Sequence, residues 1–207
     1  MEITEITRQK SYFEVHTECA VYEIDGALLS RYDLHEGTDA EEALLDALHA
    51  QSRFRRALAR ANYLLDAREY SYAMLYRKLM QTYRDAPLVK RVLKKLMETG
   101  SINDRRYAEH LAEYLIERKR YGIYRARQEM AAKGLEKSLI EDALEGYDET
   151  ALENLPEVLE KKYGRYLTDP DDRRAQEKVI AGMARLGYHY RDVKDAIADW
   201  FADIMQT

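Results

Sequence analysis

The side chains able to do chemistry are scattered through this chain in patterns that assemble no catalytic centre. The five histidines, at 16, 35, 49, 110 and 189, make no H-E-x-x-H and no metal-spaced cluster. Neither G-x-G-x-x-G nor G-x-x-x-x-G-K-[ST] occurs, so no phosphate cradle is recognisable. The single cysteine, Cys19, excludes an internal disulfide and suits a reducing cytoplasm. In its β-prone run it is expected to be packed, as free cysteines usually are. Glu pairs at helical spacing are plentiful and carry no signal. The expectation is a protein without enzymatic activity, cofactor or metal.

The remaining chemistry is that of recognition. The net charge of −5 conceals three unlike segments. Residues 1–52 hold 3 Lys/Arg against 12 Asp/Glu (−9), residues 53–134 hold 20 against 9 (+11), and residues 135–207 hold 10 against 17 (−7). A basic centre between acidic ends suits a polyanion near the middle. Lys90, Arg91, Lys94 and Lys95 cluster on one helix, while Arg118, Lys119, Arg120, Arg125 and Arg127 flank Tyr121-Gly122. Cations so spaced can follow a phosphate backbone, and five at one helix end would repel one another without a partner. Nine of the 17 tyrosines lie in this segment. Tyr63, Tyr107 and Tyr114 stand at apolar helical positions and are expected in the core.

The elements that must position these groups are mostly helices. Apolar residues make up 46% and charged residues 34% of the 207, with nine Gly and three Pro, a balance typical of a folded and soluble chain. No apolar stretch is long enough for a membrane span, and MEITEITRQK lacks the character of an export signal. Alternation over Ser11–Ile24 predicts a hairpin turning near Thr17-Glu18, which must lean on a helix. Asp25–Tyr32 is expected to form a helical turn, and Thr38 with Glu41 fits a capping box.

From there the chain repeats. At an offset of 51, Tyr63-Leu64-Leu65 meets Tyr114-Leu115-Ile116, Tyr70 meets Tyr121, Leu75 meets Ala126, Leu79 meets Met130, Val89 meets Ile140, and Leu93 meets Leu144. A further offset of 53 carries Ala126 to Val179, Met130 to Met183, Gly134 to Gly187, Ile140 to Val193 and Leu144 to Ile197. Such self-similarity indicates stacked modules. The expected organisation is an N-terminal hairpin and helix over 1–52, then three-helix repeats over 53–102, 103–149 and 150–207. The fold class is mainly α: three tandem three-helix bundles in an elongated, curved, monomeric array. Within it, Asn103 and Asp104 cap the second module, Gly134 ends a helix, and Pro156 is expected to begin the third module's first helix.

Several strings in this pattern are similar to the RecX family, bacterial regulators of the RecA recombinase. They are Arg68-Glu69-Tyr70-Ser71 with Leu75 and Leu79, then Gly100-Ser101-Ile102-Asn103-Asp104-Arg105-Arg106-Tyr107-Ala108, Gly122, Met130, and Lys133-Gly134-Leu135. The resemblance covers about 53–201. It departs from the family at Gln81-Thr82-Tyr83-Arg84, where many members have Lys-Gly. It implies a cytoplasmic regulator that binds the RecA–DNA filament and modulates, chiefly inhibits, ATP hydrolysis, strand exchange and SOS coprotease activity. Direct contact with single- or double-stranded DNA is part of that implication. Two other classes fit the residues: a helix–turn–helix DNA-binding regulator, and a helical-repeat interaction scaffold.

Overall fold

The computed structural model describes residues 1–205 and divides the chain into two compact units. The first comprises residues 1–69 and 75–102, the second 70–74 and 103 onward.

In the first unit the chain opens with three strands: β1 (Ile3–Arg8), β2 (Phe13–Thr17) and β3 (Val21–Ile24). They form an antiparallel sheet in the order β1-β2-β3, with Ile6 opposite Val15 and Val15 opposite Tyr22. The hairpin read from the sequence is thus β2–β3, and β1 is an added strand. Its two isoleucines stand three apart across a register shift between Ile3 and Glu5, so the run ITEITR shows no period-two alternation. α1 (Gly26–Arg31) follows, and then the 26-residue α2 (Glu42–Ala67), which passes unbroken through Ser52 and Arg53.

α2 is the helix on which the sheet leans. It packs against β3, and two of its side chains satisfy backbone donors at that strand's end. His49 Nδ1 accepts from the Glu23 amide at 2.8 Å, and Ser52 Oγ from the Asp25 amide at 2.9 Å. Burial lowers the His49 pKa, which keeps Nδ1 free to accept. Ile3, Val15, Ile24, Leu45 and Leu48 form the sheet–helix core. The capping box at Thr38 does not form. Thr38 Oγ1 instead accepts from the His35 amide at 3.0 Å, and Glu41 is the residue before the helix. Cys19 is exposed in the β2–β3 turn, contrary to the packed position expected. β2 ends at Thr17 and β3 begins at Val21, so Cys19 lies on neither strand's buried face.

α3 (Tyr72–Tyr83) and α4 (Ala86–Glu98) complete the first set of helices. The second set is α5 (Asp104–Glu113) with a π-helical turn over Tyr114–Arg118, α6 (Ile123–Ala132) and α7 (Lys137–Leu144). The third is α8 (Tyr147–Tyr163) with a 3₁₀ turn over Gly164–Tyr166, α9 (Arg173–Arg185) and α10 (Tyr190–Met205). Pro156 does not start α8; the helix runs through it from the left-handed Gly146. A proline mid-helix orphans the carbonyl four residues earlier, here that of Leu152. Both residues are exposed, so water can satisfy that carbonyl.

From Leu75 onward, the apolar positions that rhyme in the sequence are buried. Leu75, Ala126 and Val179 are buried, as are Leu79, Met130 and Met183, then Val89, Ile140 and Val193, then Leu93, Leu144 and Ile197. Gly134 and Gly187 both take φ near +80° to +90°, closing α6 and α9. At the departure noted above, Arg84 takes the left-handed conformation itself, at φ +49°.

Candidate functional site

Ser71, Asp104 and Lys133-Gly134, from three of the family-like strings, meet at one place in the second unit, the start of α3. Ser71 Oγ accepts from the Met74 amide at 3.2 Å and donates to the Lys133 carbonyl at 2.5 Å. Asp104 Oδ1 accepts from the Tyr72 amide at 2.7 Å, so the carboxylate lies at a helix N-terminus, where negative charge is favoured. Burial nevertheless raises the Asp104 pKa, with the Tyr72 amide opposing that shift and Glu136 adding to it. Asn103 Oδ1 caps α5 through the Arg106 amide at 3.1 Å. Gly134 carries no side chain because a Cβ there would lie 2.4 Å from that of Ala73. These residues form a structural joint, their side chains engaged with the backbone at helix ends.

The nine expected cations fall on two surfaces, one in each unit. On α4, Val89, Val92, Leu93 and Leu96 are buried while Lys90, Arg91, Lys94 and Lys95 are exposed, as a 3.6-residue period dictates. Asp85 caps this helix through the Leu88 amide at 3.0 Å and pairs with Arg53 at 2.9 Å. Arg91 is partly committed: its guanidinium lies 4.3 Å from the Phe54 ring centroid and reaches the Ala50 carbonyl. Lys90, Lys94 and Lys95 have no ion-pair partner among the described residues.

In the second unit the π-helical turn separates two exposed cations with no carboxylate partner among the described residues from three that are paired within the fold. Arg118 and Lys119 are exposed at its end, with the Lys119 ammonium 5.5 Å from the Tyr114 ring centroid. Hydrogen bonding to the Tyr114 side chain raises the Lys119 pKa and keeps it charged. Arg120 turns inward at φ +53°. It donates to Asn154 Oδ1 and approaches Glu157 at 3.7 Å, while its carbonyl accepts from the Tyr188 hydroxyl at 3.0 Å. Buried Asn154 in turn donates to the Ile116 carbonyl at 3.1 Å, within the turn whose bonding the π geometry rearranges. Arg125 pairs with Glu129 at 2.5 Å, and Arg127 grips Glu141 through two bonds of 2.9 Å. That clamp raises the Arg127 pKa and lowers the Glu141 pKa. The self-repulsion expected of five cations is therefore relieved inside the fold, which leaves Arg118 and Lys119 available.

Tyrosine placement also departs from expectation. Tyr107 is half-buried beside the second core, but Tyr63 is 66% and Tyr114 46% exposed. Each lies against a cation, Arg60 at 5.3 Å and Lys119 at 5.5 Å. Amphipathic side chains satisfy an apolar helical period without full burial, which is why the period misled. Sequence reasoning also missed a groove in the first unit, lined by Tyr12, Arg53, Arg56, Arg60 and Tyr83. Arg56 lies 4.0 Å over the Tyr12 ring and pairs with Glu23. The fourfold spacing of Arg56 and Arg60 was visible; the strand residues facing them were not.

Taken together, this is a mainly α protein of consecutive three-helix sets behind a small antiparallel sheet, with cationic faces and joints built from caps. Residues 103–144 match the family model described as RecX, second three-helix domain. The regulatory protein RecX of Trichlorobacter lovleyi is 30% identical over 127 residues, which cover 60% of this chain and 82% of that one. That of Listeria monocytogenes serotype 4a is 27% identical over 209 residues, covering 99% and 77%. A RecX crystal structure superposes with a TM-score of 0.69 at 24% identity, over 96% of this chain and 98% of that one. The RecX of Lactobacillus salivarius gives 0.65 at 22% identity, over 73% and 99%. The chain belongs to the RecX family of regulatory proteins.

Proposed function

We propose that this chain binds a RecA-type recombinase filament assembled on DNA and inhibits its ATPase, strand-exchange and coprotease activities. Family membership carries this reading. The unpaired Lys90, Lys94 and Lys95, with Arg118 and Lys119, support a phosphate component to the contact, sequence-independent and weakened by salt. Arg91, Arg120, Arg125 and Arg127 contribute less, because each is already engaged within the fold. The modules at 53–102, 103–149 and 150–207 are proposed as the repeating units that present this surface, in a monomer acting in the cytoplasm.

The test is cosedimentation with recombinase filaments, with and without DNA and nucleotide, alongside ATP hydrolysis. Retention on complete filaments with slowed hydrolysis is the expected result. Failure to sediment with filaments under low salt would refute it.

A further inference from the structure

The acidic total of residues 135–207 hides a second cationic feature, a groove of about 770 Å³ between α9 and the end of α8. Arg174, Lys178 and Arg185 line it from one face of α9, and Arg165 lines it from the 3₁₀ turn opposite. At 3.6 residues per turn, positions 174, 178, 181 and 185 fall within roughly 60° around the helix. Ala181, small and on the same stripe, keeps the floor open between Lys178 and Arg185. Tyr163 shapes the inner wall by pressing on Gly182, where a Cβ would lie 2.4 Å from its hydroxyl.

These cations are available. Among the described residues none of the four pairs with a carboxylate. Asp172 is the acidic residue lining the groove, and its Oδ1 is occupied in capping α9 through the Ala175 amide at 2.9 Å. Arg165 stands 4.7 Å over the Tyr166 ring and donates to the Tyr166 hydroxyl at 2.6 Å. One aromatic face is thereby braced by a cation while the ring stays 48% exposed.

We propose that this groove binds single-stranded nucleic acid, with phosphates on Arg174, Lys178 and Arg185 and a base stacked on Tyr166. Arg174 and Lys178 lie one turn apart, roughly 6 Å along the axis, close to the separation of successive phosphates in an extended strand. An acidic peptide would use the same cations but has no call for a braced, exposed aromatic plate. Charge with stacking is the combination that binds single strands irrespective of sequence. The occupant rests in part on the filament reading above; the groove and its free cations do not.

The experiment titrates the full chain against fluorescein-labelled oligothymidylate over a range of salt, without recombinase. Arg174→Ala with Lys178→Ala should weaken binding about tenfold and flatten the log–log salt slope by about 1.4, the single-strand value for two lost contacts. Tyr166→Leu should weaken binding about fivefold with the slope unchanged. Unaltered circular dichroism melts confirm that each variant is folded. A double variant that binds as the parent does overturns the site. If polyglutamate displaces the oligonucleotide and Tyr166→Leu has no effect, the partner is an acidic protein segment and the proposal fails. Capture of filaments without binding of bare oligonucleotide would defeat the groove and spare the filament reading. Binding through the groove without capture of filaments would do the reverse.

Discussion

Gly122 and Gly187 lie backbone against backbone. A Cβ on Gly122 would sit 2.3 Å from the Gly187 carbonyl oxygen, and one on Gly187 would sit 2.7 Å from that of Gly122. The Gly122 amide donates to the Leu186 carbonyl at 2.9 Å, so the start of α6 is bonded to the end of α9. Gly122 is thus a docking point between successive helix sets of the second unit.

Gly122→Ala should therefore cost about 3 kcal/mol, since backbone cannot move aside as a side-chain end can. Chemical denaturation would measure it. A loss below 1 kcal/mol would show that the two segments part easily.

Arg84 and Arg120 share a left-handed backbone, at φ +49° and +53°, for different reasons. Arg84 is exposed and merely stands where a glycine would end α3. Arg84→Gly relieves about 1–2 kcal/mol of strain and gives back part of it as freedom in the unfolded chain, for a net gain of roughly 0.5–1 kcal/mol. Arg120→Gly should instead lose about 2 kcal/mol, because Asn154 Oδ1 loses its donor and Glu157 keeps only Lys161. Opposite signs in paired melts are the expected outcome.

At the α3 joint, Asp104→Ala leaves the Tyr72 amide without its acceptor and should cost about 1–2 kcal/mol. Asp104→Asn keeps an acceptor and has no charge to desolvate, so most of the stability should remain. Equal losses in the two variants would assign the role to charge alone.

The repeat made the helix sets and their cores legible, because buried positions such as Leu79, Met130 and Met183 are where periodicity acts. The caps were legible too, since Asn103 and Gly134 do what their residue types do locally. The long-range partners were not. Nothing near Arg120 in sequence announces Asn154 or Tyr188, and nothing near Arg127 announces Glu141. Charge counts over long segments likewise merged the acidic α7–α8 surface with the cations of α9 and hid the groove. A net charge averages over faces that only the fold separates.

The Tyr188 hydroxyl, buried and donating to the Arg120 carbonyl, has its pKa raised to about 12, mainly by burial; Arg120 opposes the shift and Glu157 adds to it. A phenol ionises near 10 in an unfolded chain. The neutral form is thus favoured in the folded state. Its contribution is complete below pH 10 and is lost as pH rises from about 10 through 12, about 2–3 kcal/mol in all. Tyr188→Phe should be less stable by about 1 kcal/mol at neutral pH and should lack most of this alkaline decline. Stability curves of the two proteins that stay parallel between pH 9.5 and 11.5 (the window in which ~10 is crossed) would show that Tyr188 is not the group responsible.

The free cations beside the π-helical turn give the sharpest test of the filament contact. Replacing Arg118, Lys119 and Arg120 together would confound binding with folding, because Arg120 is an internal strut. Arg118→Ala with Lys119→Ala removes the two exposed charges alone, and surface charges of this kind contribute little to stability. The melting temperature should hardly move. Filament affinity should fall uniformly across DNA sequences, and the log–log salt slope should flatten by about 1 to 2, as loss of two phosphate contacts requires. Lys90→Ala with Lys94→Ala makes the same measurement on α4, in the other unit. If one pair changes the slope and the other does not, that unit carries the phosphate contact. Should both leave affinity and slope untouched, the contact is with recombinase protein, and the acidic residues of the flanking segments become the surface to mutate next.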